Sequence, residues 1–228
     1  MSWYTVNGDT VTGFSAAYEK AGSSKDITIP YVIDGTARTK IGRNAFNSKK
    51  LLNIVVENGY QNFEYGAFCG NVDCQSMKLP NTLVTIEQDV FVNFGRDSDG
   101  SLGSVVLPST LKTIGKYGFD GARWTRITVP DGCIVNNSWV FKSCPYLTYL
   151  KIGEGTNDFS HTFQQLPNLE TLILPSTTRT FDTRGSFVAL PALKSVYIAT
   201  SSYLVTSGFA YKEAGMAPNA TIYWNSTR

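Results

Sequence analysis

The sequence of 228 residues predicts a β-rich repeat solenoid, and two recurring features lead to this prediction. A phenylalanine recurs at intervals of 22 to 28 residues, and an alternating apolar triplet precedes each of these phenylalanines. Alternation of this kind is typical of a strand with one buried face. Because one such repeat cannot bury enough apolar surface to fold alone, we expect successive repeats to stack. The recurring residues are Phe46, Phe68, Phe91, Phe119, Phe141, Phe163, Phe187 and Phe209.

The triplets predict one short strand in each repeat. Proline follows several of them and ends the strand, because it has no amide hydrogen for a ladder. The inward-pointing pairs are Ile27/Ile29, Ile54/Val56, Met77/Leu79, Val105/Leu107, Ile127/Val129, Leu150/Ile152, Leu172/Leu174 and Val196/Ile198. A second apolar column precedes seven of these phenylalanines by four to six residues and contains Ile41, Phe63, Ile86, Ile114, Phe159, Phe181 and Val205.

The unbroken repeat predicts a single domain over residues 1–228. Residues 1–26 form an N-terminal cap, in which a hairpin turns at Asn7-Gly8 and residues 15–26 are a polar connector. About eight repeats of 22 to 28 residues follow over 27–216. Residues 217–228 form a C-terminal cap. Caps are expected because a solenoid end would otherwise expose an unpaired strand edge.

Charge and hydropathy bear on the class of partner. The chain has 20 Lys and Arg against 18 Asp and Glu, without a basic stripe, so no nucleic-acid partner is expected. No run of about 18 apolar residues is present, so membrane insertion is not expected. The first residues lack the features of a secretory signal. The chain is therefore expected to be either a mature form or a product that does not use signal-dependent export.

Residues suited to catalysis or metal binding are sparse. His161 is the only histidine and is expected in an exposed loop. The four cysteines are expected to be free packing residues, with a Cys69/Cys74 bridge as the alternative. The stretch 97–101 resembles the start of a calcium loop, but Pro108 stands where a bidentate Glu is required. We therefore expect no catalytic site, metal or cofactor.

The repeat motif resembles that of the BspA-like leucine-rich repeat family. The family pattern is apolar-x-apolar-Pro, then Leu, Ile-Gly, Ala-Phe, Cys and Leu. It is matched by Ile41-Gly42 with Ala45-Phe46, by Leu79-Pro80 with Leu83 and Ile86, by Leu107-Pro108 with Leu111, Ile114-Gly115 and Phe119, and by Phe141 with Cys144 and Leu147. The Ile-Gly pair is missing around Phe63 and Val135.

The resemblance implies a fold and a class of function. The implied fold is a curved leucine-rich-repeat superhelix with one parallel sheet and short strands, turns or helical pieces on the opposite face. Family members are commonly non-catalytic surface or secreted proteins that bind host or partner proteins, and related arrays occur in phage products. These implications name no ligand.

Side chains between the two apolar members of each triplet, and those two residues earlier, are predicted to point away from the core. Tyr and Arg are enriched at binding hot spots, which favours a recognition patch on adjacent strands. The simpler alternative is that β-branched and aromatic residues suit exposed strands. The candidate binding residues are Arg126, Tyr149, Lys151, Thr171, Ile173 and Tyr197.

The predicted function is non-enzymatic recognition or adhesion, with a protein or glycan surface bound through the exposed sheet face. The alternative is a structural or host-recognition component of a phage virion or another large assembly, with neighbouring subunits as partners. The family resemblance favours the cell surface or the extracellular space. The absence of a secretory signal favours the virion.

Overall fold

The structure, a computed structural model, describes residues 3–22, 24–96, 102–136, 138–179, 187–198 and 220–224. These residues wind into a β-solenoid of about seven turns. The first strands are β1 (Tyr4–Asn7), β2 (Thr10–Phe14), β3 (Asp26–Ile29), β4 (Val32–Ile33), β5 (Thr36–Ala37), β6 (Lys40–Ile41), β7 (Asn53–Val56), β8 (Asn62–Phe63), β9 (Ser76–Lys78) and β10 (Thr85–Ile86). The others are β11 (Ser104–Val106), β12 (Thr113–Ile114), β13 (Arg126–Val129), β14 (Ile134–Val135), β15 (Tyr149–Ile152), β16 (Phe163–Gln164), β17 (Thr171–Leu174), β18 (Phe187–Val188), β19 (Ser195–Ile198) and β20 (Thr221–Trp224).

The triplet strands stack in parallel, as the alternating pattern predicts, but they form two sheets. One sheet has the order β3-β7-β9 and the other has the order β11-β13-β15-β17-β19-β20. The break lies between β9 and β11, where the longest repeat, of 28 residues, carries its insertion. Core-facing Met77 and Val105 on either side of the break are partly exposed. The single parallel sheet implied by the family resemblance is therefore divided.

A separate sheet runs along another face of the solenoid. Its order is β1-β2-β6-β8-β10-β12-β14, and the pairs after the N-terminal hairpin are parallel. The strands after this hairpin contain two residues each, and their buried members are Ile41, Phe63, Ile86, Ile114 and Val135. Val135 pairs with Ile114, so it occupies the position in that repeat where the Ile-Gly pair is missing. The repeat register is thus preserved there.

The N-terminal hairpin is confirmed, although its turn lies one residue later than predicted. Asn7 pairs with Thr10, so the turn residues are Gly8 and Asp9, and Gly8 has φ 57°. β2 pairs with β6 and thereby covers the first edge of the two-residue strands β6, β8, β10, β12 and β14. The buried Arg38 guanidinium donates to the carbonyls of Gly8 and Ile33, which fixes the hairpin to the first repeat.

The segment predicted as a polar connector contains the helix α1 (Ala16–Lys20). The Ser15 side chain caps it by accepting a hydrogen bond from the Tyr18 amide at 3.4 Å. The Tyr18 ring is buried and stacks on Phe14 at 4.2 Å between centroids. A single buried aromatic residue therefore supplies an apolar contact that the polar composition of the segment conceals.

Five of the repeating phenylalanines, from Phe46 to Phe141, form a continuous column in the core. Successive ring centroids are 5.6 Å apart for Phe46 and Phe68, 6.1 Å for Phe68 and Phe91, 5.3 Å for Phe91 and Phe119, and 5.7 Å for Phe119 and Phe141. Each of these rings has 0% exposure. Because each ring from Phe46 to Phe119 packs on the ring of the next repeat, the column couples these turns of the solenoid to one another.

The chain reverses through a tight turn around each repeating phenylalanine that the structure describes. The residues two before and two after it adopt positive φ in successive repeats, which lets backbone amides reach the next turn. The non-glycine residues in these two columns are Asn44, Ser48, Asp89, Asn93, Tyr117, Trp139, Ser143, His161, Gln165 and Ala189. The phenylalanine amides then bond across repeats, for example from Phe46 to the Ala67 carbonyl at 2.9 Å. We refer to this side of the solenoid as the turn face.

Glycine in the Ile-Gly pair allows two turns to approach closely. A Cβ atom on Gly115 would lie 2.7 Å from the Gln88 amide nitrogen. Two earlier repeats have a glutamate at this position, and its carboxylate accepts a hydrogen bond from the preceding turn. Glu64 accepts from the Arg43 amide at 3.2 Å and Glu87 from the Tyr65 amide at 2.9 Å. The loss of glycine is therefore offset by a new hydrogen bond between turns.

Parts of the predicted architecture lie outside the described residues. They include Phe181, Val205, Phe209, the calcium-like stretch 97–101 and most of the predicted C-terminal cap. Within that cap, the strand predicted around Ala220 and Ile222 is confirmed as β20, which pairs with β19.

Candidate functional site

The predicted binding residues lie in two in-register columns on the larger triplet sheet. In the first column Arg126 pairs with Tyr149, and Tyr149 pairs with Thr171. In the second column Lys151 pairs with Ile173, and Ile173 pairs with Tyr197. The structure therefore brings all six candidates together on one side of the sheet, away from the phenylalanine column.

Arg126 and Tyr149 form the best-defined contact on this face. The guanidinium carbon lies 3.9 Å from the centroid of the tyrosine ring, which is a cation–π distance. Arg126 is exposed, whereas Tyr149, Lys151 and Thr171 are half-buried. These four residues present a cationic and aromatic surface that we call the sheet-face patch.

Ile173 and Tyr197 point away from the core as predicted, but they are not accessible. Each is only 7% exposed, although neither belongs to the continuous core cluster. Tyr197 stacks on the Tyr223 ring at 4.6 Å with an interplanar angle of 10°. Strand alternation identifies the side of the sheet on which a residue lies, whereas exposure also depends on packing that alternation does not encode. Binding through these two side chains therefore stays a prediction.

The smaller triplet sheet has outward side chains of a different character. The Asn53 amide donates to Asp26 Oδ1 at 2.6 Å and accepts from Ser76 Oγ at 2.6 Å. Its outward polar groups thus bond to one another along the sheet. The exposed side chain of Lys78 lies in the neighbouring column.

The turn face carries a second surface that the strand pattern does not predict. Tyr117 stacks on Trp139 at 5.4 Å with an interplanar angle of 8°, and Trp139 contacts His161 at 5.4 Å. All three are half-buried and lie two residues before their phenylalanines. Their spacing of 22 residues was a sequence signal for an aromatic column. Beside Tyr117 is a hollow of about 410 Å³.

The cysteines are free, so the alternative Cys69/Cys74 bridge is not formed. Cys74, Cys133 and Cys144 are buried, whereas Cys69 is half-buried at the hollow. Burial raises the pKa of the Cys74 and Cys133 thiols to about 12 and also raises the pKa of Cys69 and Cys144. Protonated thiols are poor nucleophiles, and the three buried cysteines pack in the hydrophobic core.

His161 is half-buried against Trp139 rather than fully exposed in its loop. Among the described residues, no three His, Cys, Asp or Glu side chains are grouped as a metal site would require. The longest helix in the part of the chain that the structure describes has five residues. No helix in that part has the length and hydrophobicity of a membrane span.

Together, the stacked parallel strands and the repeating turns define a leucine-rich-repeat solenoid that displays ordered columns of side chains. The family model of the BspA type leucine rich repeat region matches this sequence over residues 39–98 and 94–213, with 6 copies of the matched region. The chain therefore belongs to the BspA-type leucine-rich repeat family, as its motif predicted.

Solved structures show the same fold at low sequence identity. A leucine-rich repeat protein of T. pallidum matches with a TM-score of 0.67 and 20% identity, over 83% of this chain and 86% of that chain. A leucine-rich repeat protein of Bacteroides ovatus matches with a TM-score of 0.66 and 19% identity, over 86% of this chain and 53% of that chain. No curated protein matches the sequence significantly.

Proposed function

We propose that this chain is a non-enzymatic recognition module that binds a protein partner through the sheet-face patch. The observation that carries the proposal is the in-register arrangement of Arg126, Tyr149, Lys151 and Thr171 on three adjacent strands. Members of this family are commonly surface adhesion or recognition proteins. We therefore propose the cell surface as the location of this chain.

The chemistry of the patch favours a protein surface over a small ligand. Arg and Tyr are enriched among residues that dominate binding energy, and a rigid aromatic ring loses little entropy on binding. The Arg126 guanidinium can form bidentate hydrogen bonds with a partner carboxylate while it remains stacked on Tyr149. Lys151 lies on β15, next to the β13 strand that carries Arg126, and in the second column of the sheet face. It adds positive charge to the patch. We therefore expect an acidic patch on the partner.

The backbone beneath the patch is preorganised. β13, β15 and β17 are joined by parallel ladders, and their inward residues Ile127, Leu150 and Leu172 have 0% exposure. Little conformational entropy is then lost when a partner binds, so weak individual contacts can add to a stable complex.

A pair of variants tests the proposal by measuring binding to intact cells and to proteins released from their surfaces. Reversing both charges in Arg126→Glu/Lys151→Glu should weaken binding at least tenfold. The control Asn53→Ser/Lys78→Glu changes outward residues of the smaller sheet and should bind like the wild type. Equal binding by both variants would refute the sheet-face patch.

Fractionation of the native source separates adhesion from a role in an assembly. Peptides of this chain in surface digests of intact cells support adhesion. Recovery at a fixed ratio in sedimented particles would instead make the chain an assembly component, with a neighbouring subunit as the partner of the sheet-face patch.

A further inference from the structure

The hollow on the turn face spans four consecutive turns of the solenoid. It is lined by two or three residues from each turn, and its volume of about 410 Å³ lies within the range of about 300–1,000 Å³ typical of small-molecule sites. The lining residues that give the hollow its shape and chemistry are Asn44, Tyr65, Gly66, Asp89, Tyr117 and Asp120. None of them belongs to the sheet-face patch.

The hollow exists because one column changes in side-chain size along the solenoid. Two residues before each phenylalanine, the column reads Asn44, Gly66 and Asp89, and it then continues with the rings of Tyr117 and Trp139. Gly66 has φ 64°, and a Cβ atom there would collide with the Asn44 side-chain oxygen. Small residues thus leave space that large aromatic residues fill in the later repeats.

The aromatic walls of the hollow are held from behind. Trp139 stacks on Tyr117, and the Trp139 indole nitrogen donates to Gln164 Oε1 at 3.1 Å. Tyr65 has the Arg43 guanidinium 4.2 Å from its ring centroid. Packing on one side fixes the orientation of each ring before a ligand arrives, which lowers the entropic cost of binding.

Polar groups that suit hydroxyl donors line the same hollow as the two rings. The carboxylates of Asp89 and Asp120 line the hollow, and Asp89 Oδ2 accepts a hydrogen bond from the Gln88 side-chain amide at 3.2 Å. The Asn44 side chain also lines the hollow, and its Oδ1 accepts a hydrogen bond from the Asn47 side-chain amide at 3.2 Å. Carboxylates can accept several hydrogen bonds and therefore suit a ligand rich in hydroxyl groups.

We propose that this hollow binds one or two rings of a neutral, β-linked glycan. The C–H groups on the flat face of such a pyranose carry partial positive charge and pack on the negative face of an aromatic ring such as Tyr117. Its equatorial hydroxyl groups donate to Asp89 and Asp120. Two carboxylates at the site disfavour sialylated or sulfated glycans and also phosphate-bearing ligands.

The test measures binding of two neutral trisaccharides, N-acetylchitotriose and cellotriose, by saturation-transfer NMR and calorimetry. At least one should bind with a Kd of about 1 mM or lower. Tyr117→Asn removes the ring while keeping a residue that tolerates positive φ, and it should weaken binding at least tenfold. Asp89→Asn should weaken it severalfold because a neutral amide accepts hydrogen bonds less strongly than a carboxylate.

The control variant Tyr149→Ala removes an aromatic ring from the sheet-face patch and should bind the trisaccharide like the wild type. Binding of neither trisaccharide, undiminished binding by a folded Tyr117→Asn variant, or tighter binding of sialyllactose would overturn the proposal. Tyr117→Asn should leave partner binding through the sheet-face patch unchanged. The glycan site and the proposed function can therefore fail separately.

Discussion

At the residue scale, buried polar side chains join successive turns of the solenoid. Asn71 has 0% exposure and lies three residues after its phenylalanine. Its amide donates to the carbonyls of Phe46 and Phe68 at 2.8 Å each, and its Oδ1 accepts from the Leu51 amide at 3.2 Å. In a later repeat the Cys144 thiol occupies this position and donates to the Phe119 carbonyl at 3.1 Å. In both repeats the side chain three residues after the phenylalanine thus forms hydrogen bonds with backbone groups of the preceding turn.

Asn71→Ala should destabilise the protein by about 2–4 kcal/mol, because three buried backbone groups lose their partner. Urea unfolding followed by circular dichroism measures the loss. Asn168→Ala is the matched control, since the Asn168 amide makes one hydrogen bond, to the Pro145 carbonyl at 2.7 Å, from an exposed position. The control should cost about 1 kcal/mol or less. Equal costs for the two variants would contradict the role of Asn71.

Asp120 predicts a pH dependence of stability. Burial raises its pKa above the ordinary value of 3.8, although Lys142 acts in the opposite direction. The native state then holds the proton more tightly than the unfolded state, so the contribution of Asp120 to stability falls as pH rises through the raised pKa. Asp120→Asn should therefore raise the Tm near neutral pH, with a gain that shrinks toward about pH 4. A lower Tm near neutral pH would contradict this assignment.

At the element scale, the sequence predicted what repeats along the chain. The triplet strands and the phenylalanine column were visible because buried positions recur at nearly constant spacing. The turn conformation was hidden, since Tyr117, Trp139 and His161 adopt positive φ without being glycine. The sheet break lies at the insertion of the 28-residue repeat, which the sequence shows, but its effect on strand pairing was not predicted. The burial of Ile173 and Tyr197 was hidden, because strand alternation does not encode the packing that covers an outward side chain.

Phe91→Ala tests the coupling of elements through the phenylalanine column. Its ring packs against rings of both neighbouring repeats, so truncation should cost about 3–5 kcal/mol. Unfolding should remain one transition when it is followed by circular dichroism and by tryptophan fluorescence. The control Val106→Ala, at a residue 74% exposed, should change stability by about 0.5 kcal/mol or less. A cost below about 1 kcal/mol for Phe91→Ala, or separate transitions for the two probes in the wild-type protein, would contradict this coupling.

At the scale of the whole molecule, a solenoid is stable and soluble only when its ends are covered. The N-terminal hairpin covers the edge of β6 through the pairs Thr10/Lys40 and Val11/Ile41. Aromatic residues of the same segment pack on the first repeat, and Phe14 contacts Phe46 at 5.0 Å between ring centroids. The cap therefore covers both backbone edge and apolar surface.

Deletion of residues 1–14 should cause self-association, because it exposes the β6 edge together with Phe46. Size-exclusion chromatography with light scattering should show dimers or larger species that increase with concentration. The full-length variant Val32→Ser changes an exposed apolar residue of the first repeat without uncovering the edge, and it should behave like the wild type. A monomeric, fully stable deletion variant would show that the hairpin is not a cap.

The most direct test of the central claim is site-specific photo-crosslinking in the native source. A benzoyl-phenylalanine at position 149 places the probe in the sheet-face patch, and the same residue at position 55 places it on the outward side of the smaller sheet. Position 149 should form a discrete crosslink to one protein, which Arg126→Glu should abolish, whereas position 55 should not. No crosslink at position 149, or the same products from both positions, would contradict recognition through the sheet-face patch.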